Sequence, residues 1–283
     1  MTATISLDQW AAVRRSAERS AGRFAALLAD APDPRARATA HWSVADTAAH
    51  VATIARLYTG LLGDGRPLPY PGMDERLRTA TVDTVADLNT AMLRRFPERD
   101  PLAVARLLQA DVAEVLMLSE AADPDAPVPW LGDARVPVAG VLAHLLNEIH
   151  LHGRDIARAA RLPWEIPPAD IGLFFELFVI GMTRHGLGHL LDCTEPPPER
   201  RIAVELRSRY TTPVTMVLQD RRVFVEEPRP GADVRLSFHP PTLSLMLFGR
   251  VGRLRAVASG RVVVGGRRPW LLPAFLRTVR FPS

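Results

Sequence analysis

Between Val138 and Ala160 the chain carries five side chains that handle protons or metal ions, and four of them, His144, Glu148, His152 and Asp155, are spaced to act together. Wound as one helix, their offsets of four, four and three put all four on one side. Val141, Leu145, Ile149 and Ile156 fall on an adjoining face, so the polar stripe borders the buried one, while His150 projects away from it. A histidine and a carboxylate turned into a bundle interior need a partner or a metal. Ion-paired surface decoration is the competing account of this run. The balance shifts with His50, which lies on a second amphipathic helix. Together His50, Glu148 and His152 offer three N/O ligands and leave a fourth position open, as a catalytic zinc or another divalent ion requires. His144 or Asp155 could orient those ligands through a hydrogen bond. Asp155 could instead pair with Arg154 or Arg158.

The elements that must position these residues are helical. Ser6 and Gln9 form a capping-box pattern that starts a helix over 7–29, and prolines 32 and 34 end it. Ser43 and Asp46 repeat the pattern for a helix reaching Leu62, on which Asp46, His50, Ile54, Leu57 and Leu61 share a face. This leaves Asp46 explained as a cap and puts His50 beside core residues, where a buried, hydrogen-bonded histidine is the alternative to a ligand. A glycine- and proline-rich loop at 63–72 could cover a pocket mouth. Further helices are expected over 82–96 and 102–122, followed by a loop at 123–137 that contains Trp130. Short connections between successive helices describe a bundle. A last helix is expected over 169–191, placing His185 and His189 four apart with no third ligand in view.

Composition narrows the chemistry. The 283 residues can hold two domains, and a single cysteine, Cys193, excludes an intrachain disulfide and cysteine-rich metal clusters. Cys193 sits at a helix-to-linker junction and reads as incidental. Every basic residue is arginine, which excludes a Schiff-base lysine and a phosphate-binding loop that needs a primary amine. No secretory pattern or bilayer-length apolar run is evident, so a cytoplasmic protein without membrane insertion is expected. Residues 1–199 carry 19 arginines against 26 acids, whereas residues 200–283 carry 16 against 5. Aromatic residues are few and no recognition-helix pattern occurs, so an anionic small molecule held between the two parts is a better partner for this charge than nucleic acid.

Three prolines near 196–198 mark a linker, after which the hydrophobic period shortens toward two. Segments 201–209, 214–219, 222–227 and 232–238 are expected to form a small antiparallel sheet. Helices are expected at 241–248 and near 271–279, with a strand at 262–264. The boundaries implied are a bundle over 1–165, a connecting helix and linker over 166–199, and an α+β domain over 200–283.

Trp42-Ser43-Val44-Ala45-Asp46 leading to His50, and Glu148-Ile149-His150-Leu151-His152-Gly153-Arg154-Asp155, resemble the motifs of the mycothiol-dependent maleylpyruvate isomerase family, a branch of the DinB-like proteins. The part from Asp233 through Phe275 is similar to the sterol-carrier-like domain commonly attached to such bundles. The resemblance implies a DinB-like four-helix bundle with additional helices, followed by a small sterol-carrier-like α+β domain. It also implies a metal triad of His50, Glu148 and His152, and mycothiol or another low-molecular-weight thiol as cosubstrate. Arg154 departs from the aromatic residue common after His-Gly.

On this basis a divalent ion, zinc first, lowers the pKa of a thiol, and the thiolate attacks an electrophilic carbon. Reversible addition to an unsaturated diacid gives an isomerase; retention of the adduct gives a transferase. Arginines would hold the substrate carboxylates or polar groups of the thiol. Arg250 and Arg253 are the candidates beside the chemistry, with Arg207, Arg222 and Arg255 for the cosubstrate. Metal-assisted hydrolysis and a non-enzymatic ligand-binding or regulatory role remain the alternatives. A monomer or a homodimer is compatible with all of these.

Overall fold

In the computed structural model, residues 5–63, 67–192 and 200–280 are described. Cys193 and residues 194–199 of the expected linker lie outside them, as do residues 64–66 of the expected pocket-mouth loop.

Helix α1 (Leu7–Asp30) starts at a reciprocal cap: Ser6 Oγ accepts from the Gln9 amide and the Gln9 side chain accepts from the Ser6 amide. Ser43 and Asp46 do the same for α2 (Val44–Leu62). The short α3 (Asp74–Arg78) precedes α4 (Val85–Arg94). Asp100 caps α5 (Pro101–Leu118), with proline at the first position, where no amide is needed. Both α4 and α5 are shorter than their apolar periodicity suggests, because hydroxyls compete for the backbone at their ends. Thr84 Oγ1 accepts from the Thr81 amide, and Ser119 Oγ bonds back to Leu116 O.

A ribbon of β1 (Pro127–Pro129) and β2 (Arg135–Pro137) leads into α6 (Val138–Ala160). Arg161, in the left-handed conformation with φ 58°, ends α6 by donating its amide to Ala157 O. Helices α1, α2, α5 and α6 pack as a four-helix bundle. Of α6 only Arg154, Arg158, Ala159 and Ala160 escape burial. Such a helix must be covered on every side: α1 and α2 flank it, and the following segment closes the rest.

That segment comprises α7 (Pro168–Leu173), a π-helical stretch (Phe174–Ile180) and α8 (Gly181–His185). The expected helix to residue 191 therefore stops early. Gly186 takes φ 127° and Gly188 φ 50°, and the chain turns back so that the His189 amide bonds Gly132 O at 2.6 Å.

The C-terminal sheet has the order β5-β4-β3-β6-β7. Its strands are β3 (Ile202–Ser208), β4 (Thr211–Gln219), β5 (Arg222–Glu226), β6 (Val234–Phe238) and β7 (Val262–Gly265). It is mixed, correcting the antiparallel expectation: β3 and β6 are parallel, with Val204 opposite Val234. No hairpin joins β5 to β6. The chain crosses from the β5 edge to the far side of β3, so β6 enters alongside β3 in the same direction. Helices α9 (Pro240–Leu247), α10 (Arg253–Ala258) and α11 (Leu272–Thr278) complete this part.

The two parts meet through the 168–185 segment and α9. Phe175 packs on Phe238 and Phe174 on Phe248, with ring centroids 5.1 and 6.2 Å apart. Ser244 Oγ on α9 donates to Asn147 Oδ1 on α6 at 3.2 Å. No described helix is long and apolar enough to cross a membrane.

Candidate functional site

Helix α2 presents His50 and α6 presents Glu148 and His152, all three buried. Glu148 Oε2 lies 3.5 Å from His50 Nε2 and 3.4 Å from His152 Nε2. One ligand atom from each residue falls within 4.8 Å of the others. Both nitrogens stand off the carboxylate by more than the ~2.7–2.9 Å of a close charge-assisted hydrogen bond, as donors arranged around a common point would. Two imidazoles and a carboxylate suit a divalent transition ion, and His50 Nδ1, buried with no hydrogen-bond partner, indicates that the ring is not held by its other face. The residues fit such an ion.

Burial pushes the His50 imidazole below its usual pKa despite the opposing hydrogen bond to Glu148. For Glu148, burial works the other way, yet hydrogen bonds from His152 and His50 outweigh it and hold the carboxyl well below the usual range. The same balance goes upward for His152: desolvation is outweighed by Asp155 and Glu148. Four donors and acceptors thus define each other's charge in a dry setting.

Asp155 backs the triad, with Oδ2 3.4 Å from His152 Nδ1. Its strong partner is Arg250 from beyond α9, which donates from Nε at 3.3 Å and Nη2 at 3.0 Å to the same oxygen. Arg250 Nη1 donates to Phe248 O at 2.7 Å. Arg154 Nη1 reaches only 4.0 Å from Asp155, and Arg158 donates to Ala38 O instead. Of the two arginines suggested as a structural partner, Arg154 forms this long ion pair and Arg158 turns to Ala38 O, while the close contacts to Asp155 come from Arg250.

A cavity of about 680 Å³ opens on these groups. The Trp42 ring stands 4.5 Å from that of His50 at one side. On another side His144 is enclosed by Trp130 and Phe178, with centroids at 5.3 and 4.6 Å. His144 Nδ1 lies 2.8 Å from Tyr58 Oη, which accepts from Trp130 Nε1 at 3.2 Å. Burial lowers the His144 pKa and raises that of Tyr58 above its usual range. Arg154, Arg158 and Arg250 put three guanidinium groups on the same cavity.

The other suggested arginines are placed elsewhere. Arg253 and Arg255 are exposed on α10 and do not line the cavity, because that short helix turns its Ala256 inward. Arg207 is exposed on β3 and paired with Glu205 at 2.6 Å. Arg222 is exposed on the edge strand β5. Strand alternation turns both away from the bundle. His185 pairs with Asp125 and His189 with Asp192, so the two histidines share no site. His150 does project away from the cavity, but into protein: it is fully buried and bonds Asp170 Oδ2 at 2.9 Å. Asp46 caps α2 and also pairs with Arg99 at 2.8 Å.

Tyr58 and Phe178 were not singled out as site residues from sequence. A signal for Tyr58 existed, since 50, 54 and 58 step along one helix face. Phe178 had none, because its place depends on the π-helical register, which shifts side chains relative to an α-helix.

Residues 13–157 match the family model described as the mycothiol maleylpyruvate isomerase N-terminal domain. A crystal structure of the mycothiol-dependent maleylpyruvate isomerase is similar with a TM-score of 0.52 and 16% identity, over 94% of this chain and 96% of that one. A crystal structure of a histidine-to-alanine mutant of the mycothiol-dependent maleylpyruvate isomerase gives 0.50 and 14%, over 90% and 92%. At these identities the likeness is one of fold. A comparison with curated proteins finds no match.

Proposed function

The chain belongs to the mycothiol maleylpyruvate isomerase family, and on that premise we propose that it is a cytoplasmic thiol-dependent isomerase acting on a small unsaturated, anionic substrate. The observation that carries this reading is the convergence of His50, Glu148 and His152 beside a cavity that three arginines share. We take residues 1–165 as the metal-binding bundle, 166–199 as the connection and 200–283 as the sterol-carrier-like part.

His50, Glu148 and His152 would hold a divalent ion, zinc being the best match to their donor set, and bound there it supplies the positive charge that keeps a thiol ionised near neutral pH. Asp155 places its carboxylate 3.4 Å behind His152 Nδ1, where it favours the ring orientation that directs Nε2 toward Glu148. Arg250 pins Asp155 and carries the C-terminal part's charge to the cavity wall. Arg154 and Arg158 offer planar forks suited to carboxylates. Trp42, Trp130 and Phe178 exclude water on the sides where a carbon skeleton would lie. In this enclosure an unsaturated diacid loses its double bond on addition of the thiol, turns about the resulting single bond, and regains the double bond on elimination.

The test joins metal analysis to turnover. Purified protein should contain about one divalent ion per chain, retained in neither H50A nor H152A, and should isomerise an unsaturated diacid only with mycothiol or a related thiol present. Unchanged metal content in both variants removes the proposed centre. Turnover of an ester or amide without thiol would favour hydrolysis instead.

A further inference from the structure

The side of the cavity formed by Trp130, Tyr58 and His144 has hydrogens that can be placed by elimination. The indole N–H can only donate, so at 3.2 Å it gives its hydrogen to Tyr58 Oη. Tyr58 is 1% exposed, and His144 Nδ1, at 2.8 Å, is the one other hydrogen-bond partner of its hydroxyl among the described residues. Were Nδ1 protonated, indole and imidazole would both donate to the phenol, whose own hydrogen would be buried without an acceptor. Native structures avoid that cost. Nδ1 is therefore the acceptor, the ring is neutral, and its hydrogen sits on Nε2.

That hydrogen has no hydrogen-bond partner among the described residues. His144 Nε2 is 3.7 Å from Glu148 Oε1, beyond hydrogen-bond length. Phe178 and Trp130 fix the ring by packing on it, and His144 lines the cavity. A rigid, uncharged N–H donor is left facing the space beside the triad.

We infer that His144 is a catalytic residue, a neutral donor locked in its Nε2–H tautomer by Trp130 acting through Tyr58, which holds the substrate oxygen where negative charge develops. The catalytic half of this rests on the thiol-addition reading; the tautomer does not. As sulfur bonds to the alkene carbon β to a carbonyl, the π pair shifts and the charge arrives on the carbonyl oxygen. On elimination the pair returns, the carbon–sulfur bond breaks, and His144 keeps its hydrogen throughout. A donor prepositioned for that oxygen stabilises the transition state without reorganising. Tyr58 and Trp130 are positioning residues, acting through His144.

Long-range ¹H–¹⁵N spectra of the histidine-labelled, zinc-loaded protein read the tautomer directly, with the His144 signals identified by their loss in H144Q. The expected pattern is a bare Nδ1 and a protonated Nε2, partly converted to the other tautomer in Y58F. A protonated Nδ1 in the wild type overturns the lock. In steady-state kinetics with mycothiol and an unsaturated diacid, H144F should lower kcat about 100-fold with metal content unchanged. H144Q, whose amide can still donate, should recover part of that loss. Y58F should lower kcat by about tenfold with little change in KM. Wild-type kcat in H144F, or a loss of activity that follows a loss of bound metal, overturns the catalytic role. Absence of thiol-dependent turnover in the wild type would sink the reaction while the spectra still decide the tautomer, so the two failures are distinguishable.

Discussion

Arg250 Nη2 stands 3.0 Å from Asp155 Oδ2, joining the C-terminal part of the chain to the helix that carries Glu148 and His152. The aspartate oxygen that receives this guanidinium also faces His152 Nδ1 at 3.4 Å. One carboxylate thus ties the packing of the two parts to the orientation of a proposed ligand.

Replacing that carboxylate should be felt at the metal. D155N is expected to weaken zinc binding about 10–100-fold. R250M should weaken it less, and the double variant should lose less than the sum of the two, since each removes the same link. Calorimetric zinc titration of the four proteins measures this, and additive losses would show that Arg250 and Asp155 act separately.

Gly153 follows His152 directly and lies against an indole. A Cβ there would collide with Trp164 Cζ2 and Cε2, and the ring is held by its Nε1 donating to His150 O at 3.1 Å. G153A should therefore destabilise the protein by about 1–3 kcal/mol, the cost of overpacking a filled interior, and loosen metal binding by shifting α6. Denaturant titration checks the first effect. An unchanged midpoint would mean that Trp164 can move aside.

On the opposite face of α6, Asp170 accepts from Ser16 Oγ at 2.8 Å and bonds His150 at 2.9 Å. Burial would raise its pKa, but the hydrogen bonds of His150 and Ser16 prevail and lower it. A carboxyl with a depressed folded pKa contributes stability that is fully present above its unfolded value, near 3.8, and is lost as pH falls through the folded value. Melting temperatures of D170N should therefore lie below wild type at neutral pH, by an amount matching about 1–3 kcal/mol, with the gap narrowing under acid conditions below about pH 4. A gap independent of pH over that range would assign the effect to shape alone.

Much of the bundle was legible because its signals are local. Reciprocal caps at Ser6 and Ser43 start α1 and α2 where expected, and the bounds of α6 agree to the residue. The offsets of Glu148, His152 and Asp155 set a common face for the same reason: helical geometry repeats over three or four residues. The early end at His185 was less legible, since it depends on the positive φ of Gly186 and on Gly188 fitting against the β1–β2 turn, a contact made across the fold. The parallel pairing of β3 with β6 likewise follows from the path of a connection, which alternation within a strand does not encode.

Residue types and spacing by themselves determined which side chains could share a helix face, that lysine chemistry is excluded, and that the chain divides into an acidic and a basic part. Tertiary structure decided which of sixteen C-terminal arginines meets Asp155, and that Trp130 reaches Tyr58, 72 residues away, to set the hydrogen on His144. The physical reason is range. Backbone hydrogen bonding imposes a period on neighbours in the chain, whereas contact between distant side chains depends on how complete faces bury one another, and many arginines satisfy the charge pattern while, among the described residues, the packing brings Arg250 to that oxygen.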